Sequence, residues 1–434
     1  MQPIVIRDGQ IVNANMSIIQ IRWPNVLEPL VITPQPESII FSEYFPSPTL
    51  IIDGIHLTSG YDRMREARIQ AGLIPEDAKD AWIYGIGLGD LPRILLQRQA
   101  IRRLHVVLLN LGVATASFHY ADHTDWLSDE RVALHLGSDQ AEVRIPFAAI
   151  PSCLSLADEA SARIRDLVFL ELATPFIREK HNSKNLTVLE RFRENETFVR
   201  NDGDASEFFR RYPGITVAIA AAGPSLTDGF EWLTKQRKSI FLLAVNTAVK
   251  PLILAGILPD AVIAIDEEEK IARGLQGFDR NALVTTPLIY FPRVHGNVLK
   301  IWPGPRFVAY PNHEAYRDLA ARYPRGKLFA SGSVLHSAVD FAVRLGAARV
   351  VLFGADLAYP GGARYAANAA GEEKEVLAAG HWVLDGNGQK IKTSACLRGY
   401  LRDLERYITH HPEVEFVNAS RKGAAILGTH FLGD

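Results

Sequence analysis

Phe329-Ala-Ser-Gly-Ser-Val334 and, further on, Val350-Val-Leu-Phe-Gly-Ala-Asp-Leu-Ala-Tyr359 decide how this chain folds. The small-residue turn opens a helix expected over Val334 to Leu345. The apolar run from Ala348 to Phe353 then reads as a buried strand that ends at Gly354 and Asp356. A parallel sheet puts such strand ends at its ligand-binding edge. The two stretches together predict a Rossmann-like α/β site with an acidic residue turned towards a small molecule.

The same alternation extends towards the N-terminus. Thr216-Val-Ala-Ile-Ala-Ala reads as a buried strand, Gly223-Pro-Ser-Leu as the next turn, and Leu226 to Gln236 as a helix. Strands are expected at Ile240–Val245, Ala261–Ile265, Leu288–Tyr290 and Phe307–Tyr310, with a helix at Ala248–Ala255. A final helix, Ala395 to His410, precedes a strand at Glu415-Phe-Val-Asn418. Strict alternation argues for a mainly parallel sheet over residues 213–434.

A smaller α/β domain is expected over residues 1–150. Ile4–Ile6, Met16–Arg22 and Leu50–Ile52 read as short strands, separated by Pro24, Pro29, Pro34, Pro36, Pro46 and Pro48. A strand at Ala81–Tyr84 leads into the glycine-rich Gly85-Ile-Gly-Leu-Gly-Asp90 turn and a helix from Leu91 to Gln99. Further strands are expected at His105–Leu109 and Arg131–Leu136. Residues 151–212 carry charges at helical spacing and read as linking helices with solvated faces.

Bulk properties narrow the function. Lys plus Arg total 47 and Asp plus Glu 49 in 434 residues, so no global attraction to nucleic acid is expected. No apolar run approaches a membrane span and no leader peptide is visible, which predicts a cytoplasmic protein without membrane contact. Cys153 and Cys396 match no zinc spacing and read as reduced thiols. No internal repeat is apparent.

Several strand ends carry chemistry. At the Gly223-Pro224-Ser225 turn, glycine lets backbone approach a phosphate, and Ser225 either caps the helix or donates to the ligand. The turn is neither a dinucleotide fingerprint nor a Walker loop. Asn246 and Thr247 end the next strand, where an amide either reads a base or ribose or forms an Asx turn. Asp260 and Asp266 flank one strand: Asp266 lies at the ligand edge, and Asp260 reads as a turn residue. Ser331, Gly332 and Ser333 offer hydroxyls and amides to a phosphate or carboxylate, or simply cap the helix. Tyr359, Arg364 and Tyr365 belong to a glycine-containing loop of the kind that covers ligands. His336 and His381 are the histidines placed to act as a base, against packed or solvated roles. The Gly85–Gly89 turn looks like a methyltransferase-type Rossmann turn. Its following strand ends in Leu108-Leu-Asn110 rather than in the acid that would bind a ribose, so a structural role is expected.

Gly223-Pro-Ser-Leu, Asn246-Thr-Ala, Gly256-Ile-Leu-Pro-Asp260 with Asp266, Ser331-Gly-Ser-Val and Gly354-Ala-Asp-Leu-Ala-Tyr359 occur in the order seen in the motility-associated-factor proteins. Lys392-Thr-Ser-Ala and Asn418-Ala-Ser-Arg-Lys-Gly-Ala-Ala-Ile-Leu-Gly-Thr429 match their C-terminal signature. Over residues 210–429 the chain thus resembles these bacterial flagellin glycosyltransferases. Their shared MptE-like domain also occurs in archaeal 6-hydroxymethyl-dihydropterin diphosphokinases and is similar to bacterial sialyltransferases.

The resemblance implies transfer of a nonulosonic acid from a cytidine monophosphate (CMP) donor to Ser or Thr of a protein such as flagellin. It implies that Gly223, Pro224 and Ser225 approach the nucleotide phosphate, that Asn246 binds the cytidine part, and that Ser331, Gly332 and Ser333 hold the phosphate or sugar carboxylate. Thr247, Gly354, Tyr359, Tyr365 and Thr393 complete the binding set. Asp266 and Asp356 shape the sugar and acceptor pocket and, with His381, form the catalytic set; no metal is required. The sialyltransferases place a catalytic histidine shortly before their last long helix. Here that region reads Lys392-Thr-Ser-Ala, and His381 is the nearby substitute. The chain is also short for a flagellin-modifying member. Two other readings stand beside this one. One is a diphosphokinase using ATP and magnesium, with Asp266 and Asp356 as metal ligands. The other is a nucleotide-binding member without catalysis.

Overall fold

The computed structural model describes residues 9–42, 47–183, 185–267, 272, 274–369 and 381–434. The expected strand at Ile4–Ile6 and the charged turn after Glu267 lie outside them. The chain forms two compact units, Met1–Pro175 and Phe176–Asp434, so the division falls inside the helix Ala162–Ser183. Each unit has its own apolar core. No helix among the described residues is long and apolar enough to cross a membrane. Both cysteines are free thiols, Cys153 buried and Cys396 exposed.

In the first unit, β1 (Ile39–Ser42), β2 (Thr49–Ile52) and β3 (Ile55–His56) form an antiparallel ladder. Strands β4 (Asp80–Tyr84), β5 (Arg103–Leu108), β6 (Val132–Leu136) and β7 (Phe147–Ala149) form a parallel sheet in the order β6-β5-β4-β7.

Met16–Arg22 is not a strand. It belongs to the helix Gly9–Arg22, and Pro24 opens a further helix, Pro24–Ile32, instead of a break between strands. The Ile-rich pattern favours a strand locally, but tertiary bonds overrule it. The Asn15 amide donates to the Phe118 and Ala121 carbonyls at 2.8 and 2.9 Å, and the Arg22 guanidinium donates to the Leu127 and Asp129 carbonyls. Pro24 sits at the first helical turn, where its missing N–H costs nothing.

The second unit holds one nine-stranded sheet. Its members are β8 (Gly203–Asp204), β9 (Thr216–Ala220), β10 (Phe241–Val245), β11 (Ala261–Ala264), β12 (Leu288–Tyr290) and β13 (Arg306–Val308). Two short ladders lie outside it, formed by β14 (Tyr310–Pro311) with β15 (Lys327–Leu328) and by β17 (Trp382–Leu384) with β18 (Lys390–Lys392). The expected strand Phe307–Tyr310 is therefore divided between the large sheet and one ladder. Strands β16 (Arg349–Phe353), β19 (Glu415–Asn418) and β20 (His430–Phe431) complete the large sheet. Every pairing in it is parallel, in the order β20-β19-β16-β9-β10-β11-β12-β13-β8. Strand β8, inside the span expected to be a linker, is the far edge of this sheet.

The apolar runs explain the central strands. All five residues of β10 and all four of β11 are buried, as expected for parallel strands covered on both faces. Each buried Val, Ile or Leu contributes about 1.5–3 kcal/mol. The helix Val334–Leu345 is capped by Ser333, whose hydroxyl accepts from the Leu335 amide at 3.3 Å, and ends at left-handed Gly346. It runs back across the sheet into β16, so Ser331–Ser333 start it at the carboxyl edge. Chain order runs outward from β9 in both directions, through β10 on one side and β16 on the other. That is a topological switch point, where α/β sheets hold ligands.

Candidate functional site

Strands β9 and β16 end side by side. The Ala221 amide donates to the Phe353 carbonyl at 2.8 Å, and the Gly223 amide to the Gly354 carbonyl at 2.9 Å. The Ser225 amide donates to Asp356 Oδ2 at 2.9 Å. A side chain at Gly223 would put its Cβ 2.3 Å from Asp356 Oδ2. Glycine at this position therefore makes room for a carboxylate of the chain itself. The Gly223 and Ser225 amides already have protein partners and are not open to a phosphate.

Asp356 is 3% exposed. Burial pushes its carboxyl above the usual range; the Ser225 hydroxyl and amide oppose this, and Asp228 adds to it. The Ser225 hydroxyl lies beside the carboxylate, and Ser225 Oγ and Asp356 Oδ1 are both buried without a hydrogen-bond partner among the described residues. At the end of β10, Asn246 is 2% exposed, and neither its Oδ1 nor its Nδ2 has a partner there. The Asx turn is not formed. A buried polar group left unpaired costs about 1–3 kcal/mol, and here three side chains on adjacent strand ends carry that cost. A polar ligand at the switch point would satisfy all three.

The C-terminal signature loop completes this region. The Ala424 amide donates to the Asp356 carbonyl at 2.7 Å, Gly423 lies directly against Asp356, and Lys422 pairs with Asp228 at 2.8 Å. Asn418 donates to the Ala424 carbonyl at 3.3 Å and holds the loop.

Ser331 donates to Asp403 at 2.5 Å. Gly332 has φ +83, and a Cβ there would lie 2.5 Å from the Tyr400 ring. Ser333 caps the helix. His336 is buried; its Nε2 faces the Tyr400 carbonyl at 2.9 Å, so that nitrogen carries the proton. Its Nδ1 is buried and makes no aligned hydrogen bond among the described residues. Burial lowers the His336 pKa.

Other expected residues are fixed by the protein. The Thr393 hydroxyl donates to the Leu357 carbonyl at 2.9 Å, and the Tyr359 amide to the Lys392 carbonyl at 2.9 Å. Gly354 turns at φ +62 against Ala221. Arg364 lies over the Tyr365 ring, 5.3 Å from its centroid. Thr247 is half-buried beside Asn246. The carbonyl of His381 accepts from the Thr393 amide at 3.0 Å, which places His381 by the Lys392-Thr393 segment. Asp266 follows β11 at the carboxyl edge, and its carbonyl accepts from the His295 amide at 3.3 Å. Asp260 binds Arg237 at 2.7 Å and accepts from the Leu242 amide at 2.7 Å at the opposite edge, a structural role.

The glycine-rich turn of the first unit is likewise built into its own structure. Asp90 is held by both ends of the Arg63 guanidinium, at 2.8 and 2.9 Å. Asn110 accepts from the Val113 amide at 3.0 Å and donates to the Leu156 carbonyl at 2.6 Å.

Sequence reading missed Arg293, Tyr400 and the Lys422-Gly423 contact. Arg293 follows β12, so the strand-end rule that picked out Asn246 and Asp266 would have reached it. Tyr400 gave no local signal, whereas Lys422 and Gly423 lie within the C-terminal signature, whose contact with Asp356 no local pattern shows.

Residues 190–362 match the model of the family described as 6-hydroxymethylpterin diphosphokinase MptE-like. The second unit therefore carries an MptE-like domain. In structure the chain is similar to the Maf glycosyltransferase of Magnetospirillum magneticum AMB-1, with 18% identity, a TM-score of 0.45, and coverage of 98% of this chain and 74% of that one. It is also similar to spermidine synthase from Thermotoga maritima, with 14% identity, a TM-score of 0.22, and coverage of 30% of this chain and 50% of that one. Likenesses of this degree transfer no residue roles. No curated protein matches the chain in sequence.

Proposed function

We propose, from the MptE-like domain and its switch-point geometry, that this protein is a cytoplasmic glycosyltransferase of the motility-associated-factor kind. It moves a nonulosonic, sialic-acid-like sugar from a CMP-activated donor to a Ser or Thr hydroxyl of a protein such as flagellin. The observation that carries this reading is the set of buried, unpaired polar atoms on neighbouring strand ends: Ser225 Oγ, the Asn246 amide and Asp356 Oδ1. An amide with both its donor and its acceptor open suits the edge of a base, which presents both. A single hydroxyl suits a phosphate oxygen.

The donor brings its own leaving group, the nucleotide phosphate. What the chain must supply is orientation, stabilisation of that phosphate and removal of the acceptor proton. In this reading Asn246 orients the cytidine, and Ser225 Oγ donates to the phosphate. Asp356 takes the proton of the attacking hydroxyl on Oδ1, while the Ser225 amide holds Oδ2. A raised pKa makes its carboxylate a stronger base than an exposed one. Asp266, His381 and the Ser331–Ser333 turn border the sugar and acceptor side.

The description of the matched family favours a second reading, pyrophosphoryl transfer from ATP with magnesium to a pterin alcohol. Asp266 and Asp356 would then hold the metal. The fit is poor at Asp356, because one of its oxygens is already bonded to the Ser225 amide.

Thermal shift against cytidine, uridine, guanosine and adenosine phosphates, each with and without magnesium, separates the two. A bound ligand raises the melting temperature by mass action. The expected result is stabilisation by CMP without magnesium. Stabilisation by ATP only with magnesium overturns the glycosyltransferase reading in favour of the diphosphokinase.

A further inference from the structure

At the carboxyl end of β12 the chain runs Phe291-Pro-Arg-Val-His295. Asn195, fully buried on the helix Asn185–Asn201, donates its amide to the Pro292 carbonyl at 2.9 Å and to the Val294 carbonyl at 2.8 Å. These carbonyls flank Arg293 on both sides. The Val294 amide closes the turn on the Phe291 carbonyl at 2.9 Å, and the His295 amide ties it to the Asp266 carbonyl. Four hydrogen bonds thus fix the residues on either side of Arg293.

The guanidinium it carries has no such partner. Arg293 is half-buried and its Nε is fully buried, yet the side chain has no hydrogen bond or ion pair among the described residues. Its charge is near enough to oppose the burial that raises the pKa of the Tyr400 and Tyr316 hydroxyls. Tyr400 is the ring packed against Gly332, and Tyr316 Oη is itself buried without a partner. Arg293 thus stands at the carboxyl edge of the sheet, in the turn tied to Asp266, on a fixed backbone and with a planar fork unpaired among the described residues. Such a fork binds a carboxylate or phosphate in bidentate fashion.

We propose that Arg293 is the anion receptor of this sheet edge, its guanidinium taking an oxyanion of the bound ligand, either the carboxylate of an acidic sugar or the phosphate of its nucleotide. The assignment rests on the nucleotide-sugar reading for its choice of ligand. Asn195 is the residue that positions it.

The test is calorimetric titration of the wild-type chain, Arg293→Gln and Arg293→Lys with cytidine, CMP and CMP-N-acetylneuraminic acid. If the receptor holds the carboxylate, Arg293→Gln loses about tenfold or more in affinity for the sugar nucleotide and keeps its CMP affinity. If it holds the phosphate, CMP and the sugar nucleotide weaken together while cytidine does not. In both cases Arg293→Lys recovers part of the loss. Unchanged binding of all three ligands by Arg293→Gln overturns the assignment, as does equal weakening that includes uncharged cytidine, which would mark a structural role. If the wild-type chain binds no cytidine compound, the nucleotide-sugar reading fails by itself, and ATP and adenosine replace the probes. Selective loss of ATP then preserves the receptor, whereas equal affinities, or no binding of either by the wild-type chain, overturn it.

Discussion

The Ser225 amide donates to Asp356 Oδ2 at 2.9 Å across 131 positions of sequence. This bond joins the two strand ends at which the order of the strands along the chain reverses. It occupies one carboxylate oxygen and leaves the other without a partner among the described residues.

Asp356→Asn isolates the titration from the clamp, because the amide oxygen still accepts from Ser225. The folded carboxyl has a pKa above its ordinary 3.8. The folded chain therefore keeps a proton that the unfolded chain releases. The contribution of this carboxyl to stability is full below 3.8, is lost as pH rises through the folded value, and stays lost above it. Urea midpoints measured against pH should show the variant gaining on the wild type across that window and losing its transferase activity. Parallel pH curves for the two proteins would contradict this.

Asn246→Ala should weaken CMP binding about tenfold or more while leaving the free protein as stable as the wild type or slightly more so. The wild-type amide is buried with both polar atoms unpaired, and removing such a group relieves a cost of about 1–3 kcal/mol. That relief offsets the lost packing. Calorimetry and thermal melting of the same samples check both halves. A destabilised variant with normal binding would make Asn246 a structural residue.

Gly332→Ala meets two obstacles. The left-handed backbone costs a non-glycine residue about 1–2 kcal/mol, and the Tyr400 ring occupies the space of the new methyl group. Tyr400→Ala removes only the second. The double variant should therefore lose less stability than the sum of the single ones, with a coupling of about 0.5–3 kcal/mol. Additive losses in chemical denaturation would show that the ring and the turn are independent.

His123 should set the acid limit of the first unit. Trp126 Nε1 donates to its Nδ1 at 3.0 Å, so the ring proton is on Nε2, towards Ser117. Burial, helped by Arg93, lowers its pKa from 6.5 to about 3. The unfolded chain takes up a proton that the folded one refuses, so stability is full above 6.5 and declines as pH falls towards 3. The slope from this residue approaches about 1.4 kcal/mol per pH unit. His123→Asn, whose Oδ1 can accept from Trp126, should be less stable at neutral pH but show a shallower acid slope. An unchanged slope would place the acid sensitivity elsewhere.

Much of the second unit is legible in its residues. Runs such as Thr216–Ala220 and Phe241–Val245 are apolar without interruption because both faces of their strands are covered. Ser333 and Gly346 mark the ends of the helix Val334–Leu345 because an exposed amide needs an acceptor and a left-handed residue needs a glycine. The N-terminal segment was not legible. Ile18 and Ile19 carry a β-branched signal, and only the carbonyls that receive Asn15 and Arg22, more than 100 positions away, select the helix.

Within the candidate site the division follows the same physics. Local pattern determined the strand ends, and so drew attention to Ser225, Asn246, Asp266 and Asp356: a sheet of parallel buried strands has only one edge open to ligand. Which of their atoms stay unpaired was decided by tertiary structure. Gly223 and the Ser225 amide look like phosphate ligands in sequence, but they are taken up by Gly354 and Asp356, which arrive from the far side of the switch point. Arg293 looks like a surface arginine until Asn195 is seen to fix the turn around it, with its guanidinium unpaired among the described residues. Hydrogen-bond donors and acceptors are satisfied across space, and no sequence pattern records which partner reaches them first.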